Sequence, residues 1–139
     1  MIILDTDVLS EAIKDEPHRA VKQWLASLPS SSMFTTAITQ AEMLYWLRIL
    51  PQGRKRDQLS SRINHLFDLA FAGRVLSFDV NAADAYANLS VSLRLSGKSM
   101  SQADAMIAGI VISRGAKFAT RNAKDFVDSG VEVIDPWEE

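Results

Sequence analysis

Cysteine is absent from the 139-residue chain, which excludes disulfides and thiolate metal ligands. Histidine is nearly absent too: His18 and His65 alone could hardly build a zinc site, and both read as ordinary surface or core side chains. The longest apolar run, Met106 to Ile112, falls far short of the ~18 residues that span a bilayer, so no membrane partner is expected. The first residues form a strand-like run without a basic region, a long apolar stretch or a small-residue cleavage site. No signal peptide is expected there, and a cytoplasmic location follows. A net charge of -2 excludes an obligate, strongly basic nucleic-acid binder while leaving room for a local basic patch. What is present is ordinary globular material, with 47% apolar and 23% charged residues. The length suits one domain over residues 1–139, burying roughly 68% of the unfolded surface.

Read along the chain, apolar runs with strand character alternate with helical patterns. Ile2 to Leu4 is a strand, and Val8 to Ile13 continues as a helix that Pro17 interrupts. Val21, Trp24, Leu25 and Leu28 recur at helical spacing within Arg19 to Leu28, and Pro29 with three serines breaks the pattern. Met33 to Thr36 reads as the second strand, followed by a helix from Thr39 to Leu50 that stops at Pro51 and Gly53. The next helix starts in Arg54-Lys55-Arg56, places Leu59, Ile63, Leu66, Phe67 and Ala70 on one face, and ends at Gly73. Val75 to Phe78 is the third strand, and Val80 to Leu95 a helix closed by Gly97. Ser101 to Arg114 is apolar on nearly every side, as a helix buried between layers should be, with Gly115 placed for a left-handed cap. Lys117 to Thr120 and Val131 to Ile134 supply the last strands, with a short helical turn after Asn122 and Pro136 beyond. Strands separated by helices imply crossovers, hence an α/β fold with a mostly parallel central sheet and helices on both faces.

Carboxylates recur where these strands give way to helices. Asp5 and Asp7 follow the first strand directly, and Glu42, Asp104 and Asp125 stand early in later helices. Thr39-Gln40-Ala41-Glu42, Ser101-Gln102-Ala103-Asp104 and Asn122-Ala123-Lys124-Asp125 each set a small capping residue three positions before the acid, which is the capping-box pattern or a close variant. Each acid could therefore serve only unpaired helix amides. As a set they suggest more, because parallel strands deliver their carboxyl ends to one crevice, where open α/β sheets bind ligands. Four acids there repel each other unless a cation lies between them, and magnesium needs only hard oxygens and water. Such an ion polarises a phosphodiester, generates a hydroxide nucleophile and stabilises the leaving oxygen.

Four segments carry a family resemblance: Leu4-Asp5-Thr6-Asp7-Val8-Leu9, Thr36-Ala37-Ile38-Thr39-Gln40-Ala41-Glu42, Ala103-Asp104-Ala105-Met106-Ile107-Ala108 and Ala119-Thr120-Arg121-Asn122-Ala123-Lys124-Asp125-Phe126. With Pro51-Gln52-Gly53-Arg54 and Pro136-Trp137, they resemble the PIN-domain ribonucleases, and among these the VapC and FitB toxins of type II toxin-antitoxin pairs. The resemblance covers essentially the whole chain. It implies a PIN-like three-layer sandwich and an endoribonuclease dependent on Mg2+ or Mn2+. It also implies an acidic pocket of Asp5, Glu42, Asp104 and Asp125. Asp5 and Asp104 would contact the metal directly and Glu42 would act through a metal-bound water. Thr120, Arg121 and Asn122 would position that water, the substrate or its phosphate. The family usually has asparagine where this chain has Asp7, which either adds a carboxylate to the pocket or caps the first helix. Some members carry the fourth acid at the position of Asn122; here Asp125 alone has the charge. The implied partners are an RNA substrate and a VapB- or FitA-like antitoxin whose C-terminal segment enters the pocket. A homodimer is also implied, as is a larger assembly bound to DNA through the antitoxin.

Arg54, Lys55 and Arg56, with Arg48 and Arg62, form the densest basic region, suited either to RNA phosphates or to a solvated helix start. Arg121 suits a scissile phosphate or an ion pair with a pocket acid. The run Met43 to Leu50 is too apolar for a helix with a wet face and is expected to be buried or to form an interface. Two rival functions remain. Asp5-Thr6-Asp7 mimics the nucleophile-plus-acid pair of haloacid-dehalogenase-type phosphatases, with Asp5 attacking phosphorus, although Leu9 departs from that motif. A non-catalytic RNA- or protein-binding domain would use the acids only as caps.

Overall fold

In the computed structural model, which describes residues 1–139, the strands are β1 (Ile2–Leu4), β2 (Met33–Thr36), β3 (Val75–Leu76), β4 (Lys117–Ala119) and β5 (Val133–Ile134). The helices are α1 (Thr6–Ala12), α2 (Arg19–Ala26), α3 (Ala37–Ile49), α4 (Arg54–His65), α5 (Val80–Leu95) and α6 (Gln102–Arg114), with a 3-10 segment at Ala123–Ser129. All strand pairings are parallel, in the order β3-β2-β1-β4-β5. The chain moves outward from β1 to β3, then returns to lay β4 on the free flank of β1. That reversal makes the gap between β1 and β4 the switch point where an α/β sheet opens a crevice at its carboxyl edge.

Side-chain alternation along the strands divides the core into two layers. Ile3 and Phe118 face one helical layer, with Leu89 and Leu93 of α5 and Ile107, Ile110 and Val111 of α6. Leu4 and Ala119 face the other, with Val8 and Leu9 of α1, Val21 of α2, Met43 and Leu47 of α3 and Ile63 of α4. A parallel sheet covered on both faces needs continuous apolar strands, and β1 supplies one. Helices α5 and α6 approach closely at Gly109, where a Cβ would lie 2.8 Å from the carbonyl oxygen of Ala82. No helix is long and apolar enough to cross a membrane.

Every expected element is present, but several boundaries differ. Helix α3 begins at Ala37 because the Thr36 hydroxyl, rather than Thr39, caps it, accepting from the Thr39 amide at 3.1 Å. β3 stops at Leu76 instead of Phe78 because its ladder partner β2 ends at Thr36. β5 pairs only at Val133 and Ile134, β4 ends at Ala119, and α2 ends at Ala26. Ala70 faces solvent and Phe71 takes its place in the core. The helix after His65 widens into a π turn closed by Phe71 N–H donating to the Leu66 carbonyl at 2.8 Å, which advances the buried face by one residue. Gly115 does take the left-handed cap, with φ of 59°.

Candidate active site

Asp5, the first residue beyond β1, caps α1. Its Oδ1 accepts the Thr6 amide at 2.8 Å, and its own N–H donates to the Ala119 carbonyl of β4 at 2.9 Å. Across the switch point stands Thr120, the first residue beyond β4 and fully buried. Its hydroxyl donates to Asp5 Oδ2 at 2.8 Å and accepts the Asn122 amide at 3.1 Å. A hydroxyl has one hydrogen to give, so the 3.3 Å approach of Thr120 Oγ1 to Asp7 Oδ2 is secondary.

Asp7 does not cap α1. Its Oδ2 accepts from the Arg121 amide at 3.0 Å and from Asn122 Nδ2 at 3.4 Å, pinning the loop after β4, while Oδ1 is buried without a partner. Glu42 lies in the second turn of α3 rather than the first, and answers no helix amide. The Thr6 hydroxyl instead donates to Glu42 Oε1 at 2.7 Å. Asp104 occupies the first turn of α6, and its amide donates to the Ser101 hydroxyl at 3.1 Å, as the capping pattern expects. Asn122 offers no side-chain cap; its carbonyl accepts the Asp125 amide at 3.0 Å, and Asp125 is exposed.

Electrostatics tie most of these acids into one group. Burial, then the charge of Asp7 and to a lesser degree that of Asp104, push the Asp5 carboxyl up to about 7, against the hydrogen bonds from Thr120 and Thr6. Burial also raises Asp7, with Asp135 adding to it, and raises Asp104, with Asp125 adding to it. Asp135 was missed in the sequence, yet it follows β5 just as Asp5 follows β1. The same is true of Thr6, whose hydroxyl carries no distinguishing pattern.

On the family resemblance Asp5 and Asp104 would touch the metal directly, with Glu42 acting through a water and Asp125 as the fourth acid; no three Asp, Glu or His side chains converge closely enough to hold an ion alone. Glu42 is drawn to Thr6 and Asp125 stands in solvent. The site still fits a hard divalent cation that keeps much of its water. Its donors are all carboxylate and hydroxyl oxygens, its central carboxyl is destabilised by burial beside like charges, and one buried carboxylate oxygen lacks a partner.

Asparagine at position 7 would keep the acceptor that binds the loop and remove the stranded charge. Asp7→Asn is therefore expected to stabilise the metal-free protein at pH 7.5 by about 1 kcal/mol, read as a higher urea midpoint.

Arg121 forms no ion pair; its guanidinium lies over the Trp137 ring, 5.0 Å from the centroid. The basic region is partly committed elsewhere. Arg62 pairs with Asp15 and donates to the Ile13 carbonyl, and Arg56 donates to the Leu50 carbonyl, leaving Arg48, Arg54 and Lys55 exposed. The Met43–Leu50 run divides: Met43 and Leu47 are buried, whereas Tyr45, Trp46 and Ile49 are exposed.

The family profile described as PIN domain matches residues 2–129. The VapC ribonuclease Y4jK of Sinorhizobium fredii is 39% identical over 138 residues, 99% of each chain. Toxin FitB of Neisseria gonorrhoeae is 35% identical, again over 99% of each. A solved structure of FitAB bound to an IR36 DNA fragment superposes with a TM-score of 0.91 at 36% identity, covering 99% of this chain and 96% of the other.

Proposed function

Because the chain belongs to the PIN-domain family, we propose that it is a divalent-metal-dependent endoribonuclease, the toxin of a type II toxin-antitoxin pair acting in the cytoplasm. The observation that carries this reading is the buried Asp5–Thr120 pair at the β1/β4 switch point, set among like-charged acids. Asp5 and Asp104 would hold Mg2+ or Mn2+, with Glu42 acting through an intervening water; once bound, the ion supplies positive charge to the phosphoryl oxygens and lowers the pKa of water. Asp125 adds negative potential at the rim.

The protein's own groups do the positioning. Thr120 holds one oxygen of Asp5 and is itself held by the Asn122 amide, so the carboxylate cannot rotate freely. Asp7 fixes the backbone at Arg121, whose unpaired cation is the candidate phosphate contact. A covalent aspartyl intermediate has little support. Asp5 is hydrogen-bonded through both oxygens and is only 7% exposed, which suits a ligand better than an in-line nucleophile. The binding-module alternative is weakened because neither Asp7 nor Glu42 serves as a cap.

The partners follow the same reading. A groove of about 530 Å³ between α1, α3 and α4, lined in part by Ile13, Met43, Trp46 and Leu59 and separate from the acids, suits an apolar segment of the antitoxin; a basic side chain elsewhere on the antitoxin would complement the acid pocket. The exposed Tyr45 and Ile49, which lie outside that groove, support a homodimer, and the antitoxin would carry any DNA contact of the larger assembly.

Incubating the protein with end-labelled RNA tests the proposal. Cleavage is expected with Mg2+ or Mn2+ and none with excess EDTA. The products should bear 5′-phosphate and 3′-hydroxyl ends, as water attacks phosphorus and the 3′ oxygen leaves with the proton it gains. Cleavage that persists in chelator, or yields 2′,3′-cyclic phosphate, would overturn it.

A further inference from the structure

Arg121 poses an electrostatic question. It sits one residue beyond Thr120, in a region that also holds Asp5, Asp7, Asp104, Asp125 and Asp135, yet no carboxylate lies within ion-pairing distance of it. Only its backbone N–H meets an acid, Asp7 Oδ2 at 3.0 Å. The guanidinium instead lies on the face of Trp137, 5.0 Å from the ring centroid.

Trp137 is well anchored for this. Its backbone N–H donates to Asp135 Oδ1 at 2.9 Å, and the Glu138 backbone N–H donates to the Asp135 carbonyl at 3.1 Å, closing a tight turn. Pro136 is buried, and the indole packs against the core layer that contains Leu4 and Ala119. The turn follows β5, which pairs with β4 at Ala119↔Ile134 and receives the Thr120 N–H at the Ile134 carbonyl, 2.9 Å away. The strands that present Asp5 and Thr120 thus also fix the indole.

We propose that Trp137 is a positioning residue: by a cation–π contact it holds the Arg121 guanidinium beside the loop that Asp7 pins after β4, unpaired and ready to take a phosphate of the RNA strand. An ion pair would occupy the donors of the guanidinium. A cation–π contact takes up none of its N–H donors by ion pairing and leaves them for phosphate oxygens, in the planar fork that suits them. The C-terminal Asp135–Trp137 turn is then part of the substrate site. This rests on the ribonuclease reading.

The test is a mutant cycle on Arg121 and Trp137, read in cleavage of a short single-stranded RNA and in binding of the same RNA to the metal-free protein in EDTA by fluorescence anisotropy. Trp137→Ala is expected to raise KM and Kd roughly fivefold with kcat within about twofold. Trp137→Phe, which keeps an aromatic face, should recover most of the loss, and Trp137→Leu should not. Arg121→Ala should weaken binding at least as much, and adding Trp137→Ala to it should change nothing further. Both single variants should also flatten the salt dependence of Kd by about one phosphate contact. Effects that multiply in the double variant, equal behaviour of Trp137→Phe and Trp137→Leu, or unchanged Kd throughout would overturn the proposal, as would wild-type protein that binds no RNA. Wild-type protein that binds RNA with the expected cycle but never cleaves it would overturn the nuclease reading and leave this inference standing.

Discussion

Asp5→Asn is expected to reduce metal-dependent RNA cleavage by roughly 10³-fold or more while leaving the protein folded. The substitution is nearly isosteric, and asparagine caps a helix as well as aspartate does. The amide oxygen can still accept the Thr6 N–H, and the amide nitrogen can turn to the Thr120 hydroxyl. What disappears is the charge at the centre of the acid group. Asp104→Asn should cost a similar factor, since Asp104 is the acid beyond Asp7 whose charge reaches Asp5. Asp125→Asn should cost less, about tenfold, because Asp125 is exposed and acts on the group through Asp104. Single-turnover cleavage of labelled RNA at saturating Mg2+ measures this order. Activity within tenfold of wild type for both Asp5→Asn and Asp104→Asn would mean that the crevice between β1 and β4 is not the catalytic site.

The second large effect is on stability. Without a divalent ion, the protein should lose stability as the pH rises from about 4.5 to 8. The sign follows from the Asp5 carboxyl, ordinarily at 3.8 and here at about 7. Between those values the folded protein holds a proton that the unfolded chain has released, so raising the pH favours unfolding, and the loss is complete once the pH passes the folded value. The full difference is on the order of 4 kcal/mol, with Asp7 and Asp104 shifted in the same direction. Glu11 works the other way: burial opposes its charge, but Lys14 and the His18 amide outweigh it and hold its carboxyl below the ordinary value of 4.5. Its contribution is present above 4.5 and fades below, outside the window chosen. Urea midpoints in EDTA across that window should fall steeply for the wild type and less steeply for Asp5→Asn, in which the raised Asp7 and Asp104 carboxyls remain. Adding Mg2+ at pH 8 should recover part of the loss in the wild type, about 2.7 kcal/mol when the ion is at 100 times its Kd, and leave Asp5→Asn unmoved. A flat wild-type profile in EDTA would show that Asp5 is ionised at little cost and that the acids are not mutually strained.

Much of this molecule was readable from local pattern. The alternation of strand and helix, the left-handed Gly115, the Ser101 cap beside Asp104 and the place of Asp5 at the end of β1 all depend on hydrogen bonds and side-chain periodicity within a few residues. The same locality misled where a longer-range partner intervened. Thr39-Gln40-Ala41-Glu42 has the capping pattern, but Thr36 captured the helix start first and released Glu42 to Thr6. Leu66, Phe67 and Ala70 suit an α-helical face, but the π turn carried Phe71 inward. Asp7 looked like a cap or a fifth ligand until the loop after β4 came within reach of it.

For Asp5, local pattern established that an acid stands at the mouth of a buried parallel strand and at the start of a helix. It could not establish what lies opposite. That depended on strand order: the long return that lays β4 beside β1 joins Thr120 to Asp5 across 115 positions of sequence, and the addition of β5 brings Asp135 and Trp137 to the same edge. Caps and periodicities are encoded within a turn or two of chain. Neighbours in a sheet are chosen by burying both faces of every strand at once, and only the assembled core makes that choice.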